Sequence, residues 1–192
     1  MATSIFTKKL IDTAYQQYQL YKSMDEADDK LFRQIRKYYE DLDFNFTSSV
    51  TEPWSAVFIS WCVLKAGANA TEFKFSLAHS KFVHKAIQNT IQNTGVFKGR
   101  RLDEYHPKIG DIIQNNRGNS EFDYNYARDH SGYQSHSAIV IEVGEDHKGK
   151  YLLTIGGNES DSVRMKEIRL DRNGFIKQRD INPYISIIEN LK

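Results

Sequence analysis

The segment EPWSAVFISWCVLKAG, residues 52–67, constrains the fold more than any other stretch of this chain. Pro53 suits the first turn of a helix and Gly67 suits its C-terminal cap. Between them Val57, Phe58, Ile59, Trp61, Cys62, Val63 and Leu64 fall nearly all round the helix axis, so the helix must be buried on most sides. The apolar-rich run from Ala56 to Leu64 is less than half the length of a membrane span, so other parts of the chain have to cover it. With 192 residues the chain can build one substantial core but hardly two.

Helical periodicity dominates the first half. Ile5, Leu10, Ile11, Ala14, Tyr15, Tyr18 and Tyr21 predict an amphipathic helix over residues 4–22. Ser23 and Glu26 fit a capping box for a second helix carrying Leu31, Ile35, Tyr38 and Leu42. A polar turn is expected over residues 47–51, and a fourth helix from about Leu77 to Thr90. The second half reads as short strands over 111–113, 137–143, 151–155, 163–170 and 184–188, parted by Gly, Asn and Asp turns. Helices followed by strands predict an α+β domain, with an antiparallel sheet packed on the buried helix. Without repeats or low-complexity linkers, residues 1–192 read as one domain, residues 1–50 a helical extension and 51–192 the catalytic-type core. The polar stretch 114–134 is long for a connection, and is either a substrate-facing flap or a disordered surface insertion.

Composition excludes several functions. Lys and Arg total 26 against 25 Asp and Glu, and the densest basic cluster, Lys98, Arg100 and Arg101, reads as a solvated loop, so no nucleic-acid partner is expected. The lone Cys62 rules out an internal disulfide and a cysteine-based zinc site, and its apolar neighbours make it inert core. His79 and His84 do not share a helix face, and Asp129, His130 and His136 lack a fourth ligand or a familiar spacing. No metal or cofactor is expected. The first residues lack an apolar stretch of signal-peptide length. The expectation is a cytoplasmic product without a membrane span, released by lysis or by a leaderless route if it acts outside.

Three local features carry chemistry: Pro53-Trp54-Ser55-Ala56 opening the buried helix, Ser135-His136 opening a strand, and Gly156-Gly157-Asn158 ending one. Ser55 falls in a first helical turn, where free N–H groups and the helix dipole favour a nucleophile and the oxyanion it generates. A histidine on an adjacent strand can act as base, and a polar residue on a neighbouring strand can orient it. Asp111, after Gly110, reads as a strand cap or a support for the site.

In this order the motifs resemble the NlpC-like and CHAP-like papain-fold peptidases and amidases of bacterial cell walls. Their pattern of PWCAAFVNW, GD, GHVG and GGNQ has counterparts here in PWSAVFISW (53–61), IGD (109–111), SHSAIV (135–140) and IGGNES (155–160). The chain also resembles the uncharacterised family termed domain of unknown function 2272. The likeness lies in its leading helix, PWS segment, AHS element (Ala78-His79-Ser80) and GGN-x-x-DSV element (Gly156 to Val163), and runs from about residue 8 to residue 170. The resemblance implies Ser55 as nucleophile where the cysteine enzymes carry their thiol, His136 as general base, and Asn158 as the residue orienting it. Trp54, His79, Arg117, Ser135 and Glu159 are the candidate substrate contacts. Peptide or amide bonds of peptidoglycan are the implied substrates, and a cognate protein is the other partner considered.

Serine changes the chemistry. It has no thiolate reserve and depends on base assistance, and an amide in place of the orienting carboxylate costs a serine triad about 10⁴-fold. Glu159 or Asp161 could supply the missing carboxylate. Two functions follow: an amide hydrolase working through an acyl-enzyme, or a module of the same fold that binds cell-wall peptide or a protein without cleaving it. A phage lysis factor or interbacterial toxin is a biological role compatible with the first.

Overall fold

The computed structural model describes residues 3–47 and 53–192, so the turn expected over 47–51 lies, apart from Thr47, outside the described residues. Helices α1 (Ile5–Tyr21), α2 (Asp29–Glu40), α3 (Ser55–Ala66) and α4 (His79–Ile91) come first. Strands β1 (Phe97–Arg100) and β2 (Ile112–Asn116), the short helix α5 (Tyr124–Asp129), then β3 (Ser135–Asp146), β4 (Gly149–Glu159), β5 (Ser162–Arg169) and β6 (Tyr184–Asn190) follow. The expected α+β architecture is present. All six strands pair antiparallel in one sheet of order β1-β6-β2-β3-β4-β5. Among the described residues no helix is long and apolar enough to cross a membrane.

The central helix is buried as its composition demands: every residue from Ser55 to Val63 is buried, and Gly67 closes the helix at φ 106°. Pro53 lies outside it, and Ser55 is its first residue. Helix α1 is capped by Ser4, whose Oγ accepts the Thr7 N–H at 3.0 Å. This helix is no appendage. Leu10 and Ala14 are fully buried, Ser162 donates to the Tyr21 carbonyl at 3.0 Å, and Asn190 Nδ2 donates to Thr7 Oγ1 at 3.0 Å. The capping box expected at Ser23 and Glu26 does not form. Asp25 accepts from the Ala27 N–H and Asp28 from the Asp25 N–H, making a tight turn that delays α2 to Asp29. Glu26 instead accepts the Trp54 indole N–H at 3.0 Å.

Two expectations about loops also change. Lys98 and Arg100 lie on β1, an edge strand held by antiparallel pairing to β6 and by α4. Gly99 allows this approach: a Cβ there would stand 2.8 Å from the Ile87 backbone. Arg100 pairs with the buried Glu189 at 2.6 Å. The stretch 114–134 is not irregular throughout, since β2 runs to Asn116 and α5 is capped by the Asp123 side chain on the Tyr126 N–H.

Strand alternation divides the core. Ile112, Ile139, Ile155 and Ile188 belong to the cluster shared with the helices, whereas Ile113, Val140, Leu152 and Ile187 belong to a smaller cluster with Ile168, Ile176 and Tyr184. This division sorts the site residues as well.

Candidate active site

Ser55 enters the site through helix geometry. Among the described residues no side chain caps the first N–H groups of α3. Ser55 Oγ lies 2.7 Å from His79 Nε2, the first residue of α4. Both residues are buried, 2% and 5% exposed. Burial holds His79 well below the ordinary imidazole pKa, and the nearby His136 and Arg117 add to the effect. A neutral imidazole this close to a hydroxyl is placed to take its proton. Its other nitrogen, Nδ1, is buried without a hydrogen-bond partner among the described residues, so none of their carboxylates stands behind it.

His136 does not meet Ser55. Alternation along β3 places His136 and Ala138 at the cleft described below, while Ile139 packs into the helix-side cluster. His136 reaches the serine side only at the strand end, where its ring lies 5.3 Å from that of His79. Its Nε2 contacts Glu159 Oε1 at 3.0 Å, and the second oxygen of Glu159 pairs with Lys166. Burial alone would raise the Glu159 pKa, yet the hydrogen bonds and charges of His136 and Lys166 hold it below the ordinary carboxylate range. Of the two carboxylates considered, Glu159 is the one that meets His136. Asn158 does not orient the ring. It sits at φ 54°, and its side chain makes no hydrogen bond among the described residues, so its amide is left to border the cleft.

The glycines before Asn158 have separate duties. A Cβ on Gly156 would come within 3.0 Å of His136 Nε2, so this glycine clears space for the His–Glu pair. A Cβ on Gly157 would stand 2.6 Å from Phe58 Cβ and 2.7 Å from Trp54 Cζ3, so this one lets α3 pack against β4.

Of the expected substrate contacts, Arg117 is exposed on the cleft and Glu159 lines it. Trp54 is instead core, 1% exposed among Tyr38 and Phe58, because its indole N–H finds Glu26 inside the fold. Ser135 is buried and accepts from Gln114 Nε2 at 2.9 Å, within a network that also holds Tyr133 and Ser186. Asp111 is a structural support. Its carboxylate accepts the Lys108 and Asn190 N–H groups at 2.7 and 3.0 Å, and burial raises its pKa to about 7. His130 stacks on Tyr126, Asp129 pairs with Arg128 and His84 meets the Ala127 carbonyl. Among the described residues no three metal-ligating side chains converge.

A cleft of about 440 Å³ opens beside His136, lined also by Asn115, Arg117, Asn158, Lys166, Arg179 and Tyr184. Sequence reading missed Lys166 and Arg179. Their only signal is their place on or beside strands whose register was not yet known.

Fold and site together define an α+β protein with a serine–histidine contact at the N-terminus of a buried helix and a histidine–glutamate pair bordering an open cleft. The chain belongs to the family described as "Uncharacterized protein conserved in bacteria" (DUF2272), which it matches over residues 18–187. No curated protein and no solved structure matches it.

Proposed function

We propose that this protein is an amide- or peptide-bond hydrolase of the papain-like cell-wall class, acting on peptidoglycan peptides with Ser55 as nucleophile. The observation that carries the reading is the 2.7 Å contact of Ser55 Oγ, in the first turn of α3, with the buried, neutral imidazole of His79 at the start of α4. In the proposed reaction Ser55 Oγ bonds to the scissile carbonyl carbon as its proton passes to His79 Nε2. The N–H groups opening α3 receive the oxyanion. The tetrahedral intermediate collapses by breaking the C–N bond, and His79 returns the proton to the departing amine. Water, deprotonated by the same imidazole, then hydrolyses the Ser55 ester. The His136–Glu159 pair borders the cleft. The resemblance assigns the general base to His136, and the contact distances favour His79.

A second reading draws on a different observation. Ser55 and His79 are both buried, and among the described residues no group meets His79 Nδ1 to stabilise an imidazolium. These features suit a module that binds cell-wall peptide, or a protein partner, in the cleft without cleaving it.

A fluorophosphonate probe followed by intact-mass measurement separates the two. The hydrolase reading expects one adduct, mapped to Ser55 and absent from Ser55→Ala, with the yield falling at least tenfold in His79→Gln. A folded protein that takes no label and releases nothing from peptidoglycan fragments makes the binding module the correct description.

A further inference from the structure

We infer that the cleft beside His136 is a carboxylate-recognising subsite for peptide, with Arg117 and Arg179 gripping the carboxylate. The inference rests on the proposed peptide-directed reading and names the group on the peptide that the protein selects.

The argument is a charge balance. Arg117, Lys166 and Arg179 bring cations to the cleft, and Glu159 and Glu167 bring carboxylates. Lys166 is taken by Glu159, and Glu167 by Arg169 at 2.7 Å. Arg117 and Arg179 are left without a carboxylate partner among the described residues. Arg179 is already oriented, since its Nε donates to the Asn182 carbonyl at 3.0 Å and its guanidinium lies 4.5 Å from the Tyr184 ring centroid. Its terminal nitrogens remain available for a bidentate carboxylate, and little ordering is left to do on binding. The amide of Asn158, which lines the same cleft and is unpaired among the described residues, supplies a donor and an acceptor suited to a peptide group. A cleft of about 440 Å³ takes a few residues of peptide. With Lys166 and Glu167 already paired, two arginines remain, a charge suited to one carboxylate rather than to a polyanion.

The test is calorimetric titration of the full chain, and of Ser55→Ala to prevent turnover, with a peptidoglycan stem tetrapeptide as free acid and as its fully amidated form. The same titrations are run on Arg117→Gln and Arg179→Gln, both surface changes, with circular dichroism confirming the fold. The free acid is expected to bind at least about tenfold more tightly than the amide, the scale of a charge-assisted contact. Each arginine variant should lose most of that preference while binding the amide as before. Equal binding of acid and amide, an unchanged preference in both variants, or no binding of either overturns the inference. Inorganic phosphate binding as tightly as the free acid also overturns it, because the site then takes any small anion. Retained selectivity in a protein that fluorophosphonate does not label would sink the hydrolase reading and leave this inference standing.

Discussion

His79 is buried in the form that carries no charge, and this ties the site to acidity. The unfolded chain protonates this imidazole at the ordinary pKa near 6.5, while the folded chain resists down to a lower pH. Below about pH 6.5 the unfolded state therefore binds the extra proton, and the contribution of His79 to stability falls as pH drops, with a slope approaching about 1.4 kcal/mol per pH unit. Glu159 acts in the same direction lower down. Its folded pKa is depressed, so its contribution is present above the ordinary glutamate pKa and lost as pH falls through the folded value. Asp111, raised to about 7 in the folded chain, takes up a proton over the same range and offsets this loss, so urea unfolding at pH 7, 6 and 5 reads the imidazole by difference: the stability of the parent relative to His79→Gln should fall as pH drops. Equal slopes in the two proteins would mean that the imidazole is not buried neutral.

At the scale of elements, two glycines separate packing from backbone conformation. Gly67 ends α3 at φ 106° with nothing within 4 Å of a would-be Cβ, so Gly67→Ala should cost only the left-handed backbone penalty, about 1–2 kcal/mol. Gly157 sits at an ordinary φ but faces Phe58 and Trp54, so Gly157→Ala overpacks the joint between α3 and β4, a class of change that costs about 1–3 kcal/mol. Chemical denaturation of both variants measures the totals. The fluorophosphonate yield distinguishes them further, because only the Gly157 change displaces the helix start that carries Ser55. The central helix was legible in the sequence because an all-round apolar run bounded by Pro53 and Gly67 has few other solutions. So were Ser55 in its first turn and the order of the later strands. The partners of Ser55 and His136 were not legible. They depend on which face of β3 each residue takes and on where α4 begins relative to α3, and both are tertiary facts. Lys98 and Arg100 misled for a related reason: an edge strand with charged side chains has the composition of a loop until Gly99 is seen against Ile87.

For the whole molecule, Cys62 is a built-in reporter. It is fully buried, and burial pushes its thiol pKa well above the usual range, so the reactive thiolate is absent from the native state. A thiol reagent in excess should leave Cys62 untouched in native buffer and modify it at a rate that follows global unfolding in urea. Fast labelling without denaturant would mean that the helix opens locally. The reporter covers the N-terminal helix too, because α1 and α3 share one core and α1 is bound to β5 and β6 through Ser162 and Asn190. The region expected to be an extension is thereby part of what unfolds.

The position of β6 has a consequence for how the protein is made. This strand, residues 184–190, lies between β1 and β2, and among the described residues β1 has no other strand to pair with. While the chain is still being translated, the slot between them stands open and β1 can lean only on α4. The sheet becomes continuous only once residues 184–190 have cleared the ribosome, so β1 and β2 wait for the last strand in chain order before they are joined. Until then the exposed rims of β1 and β2 are the surfaces a chaperone would have reason to guard.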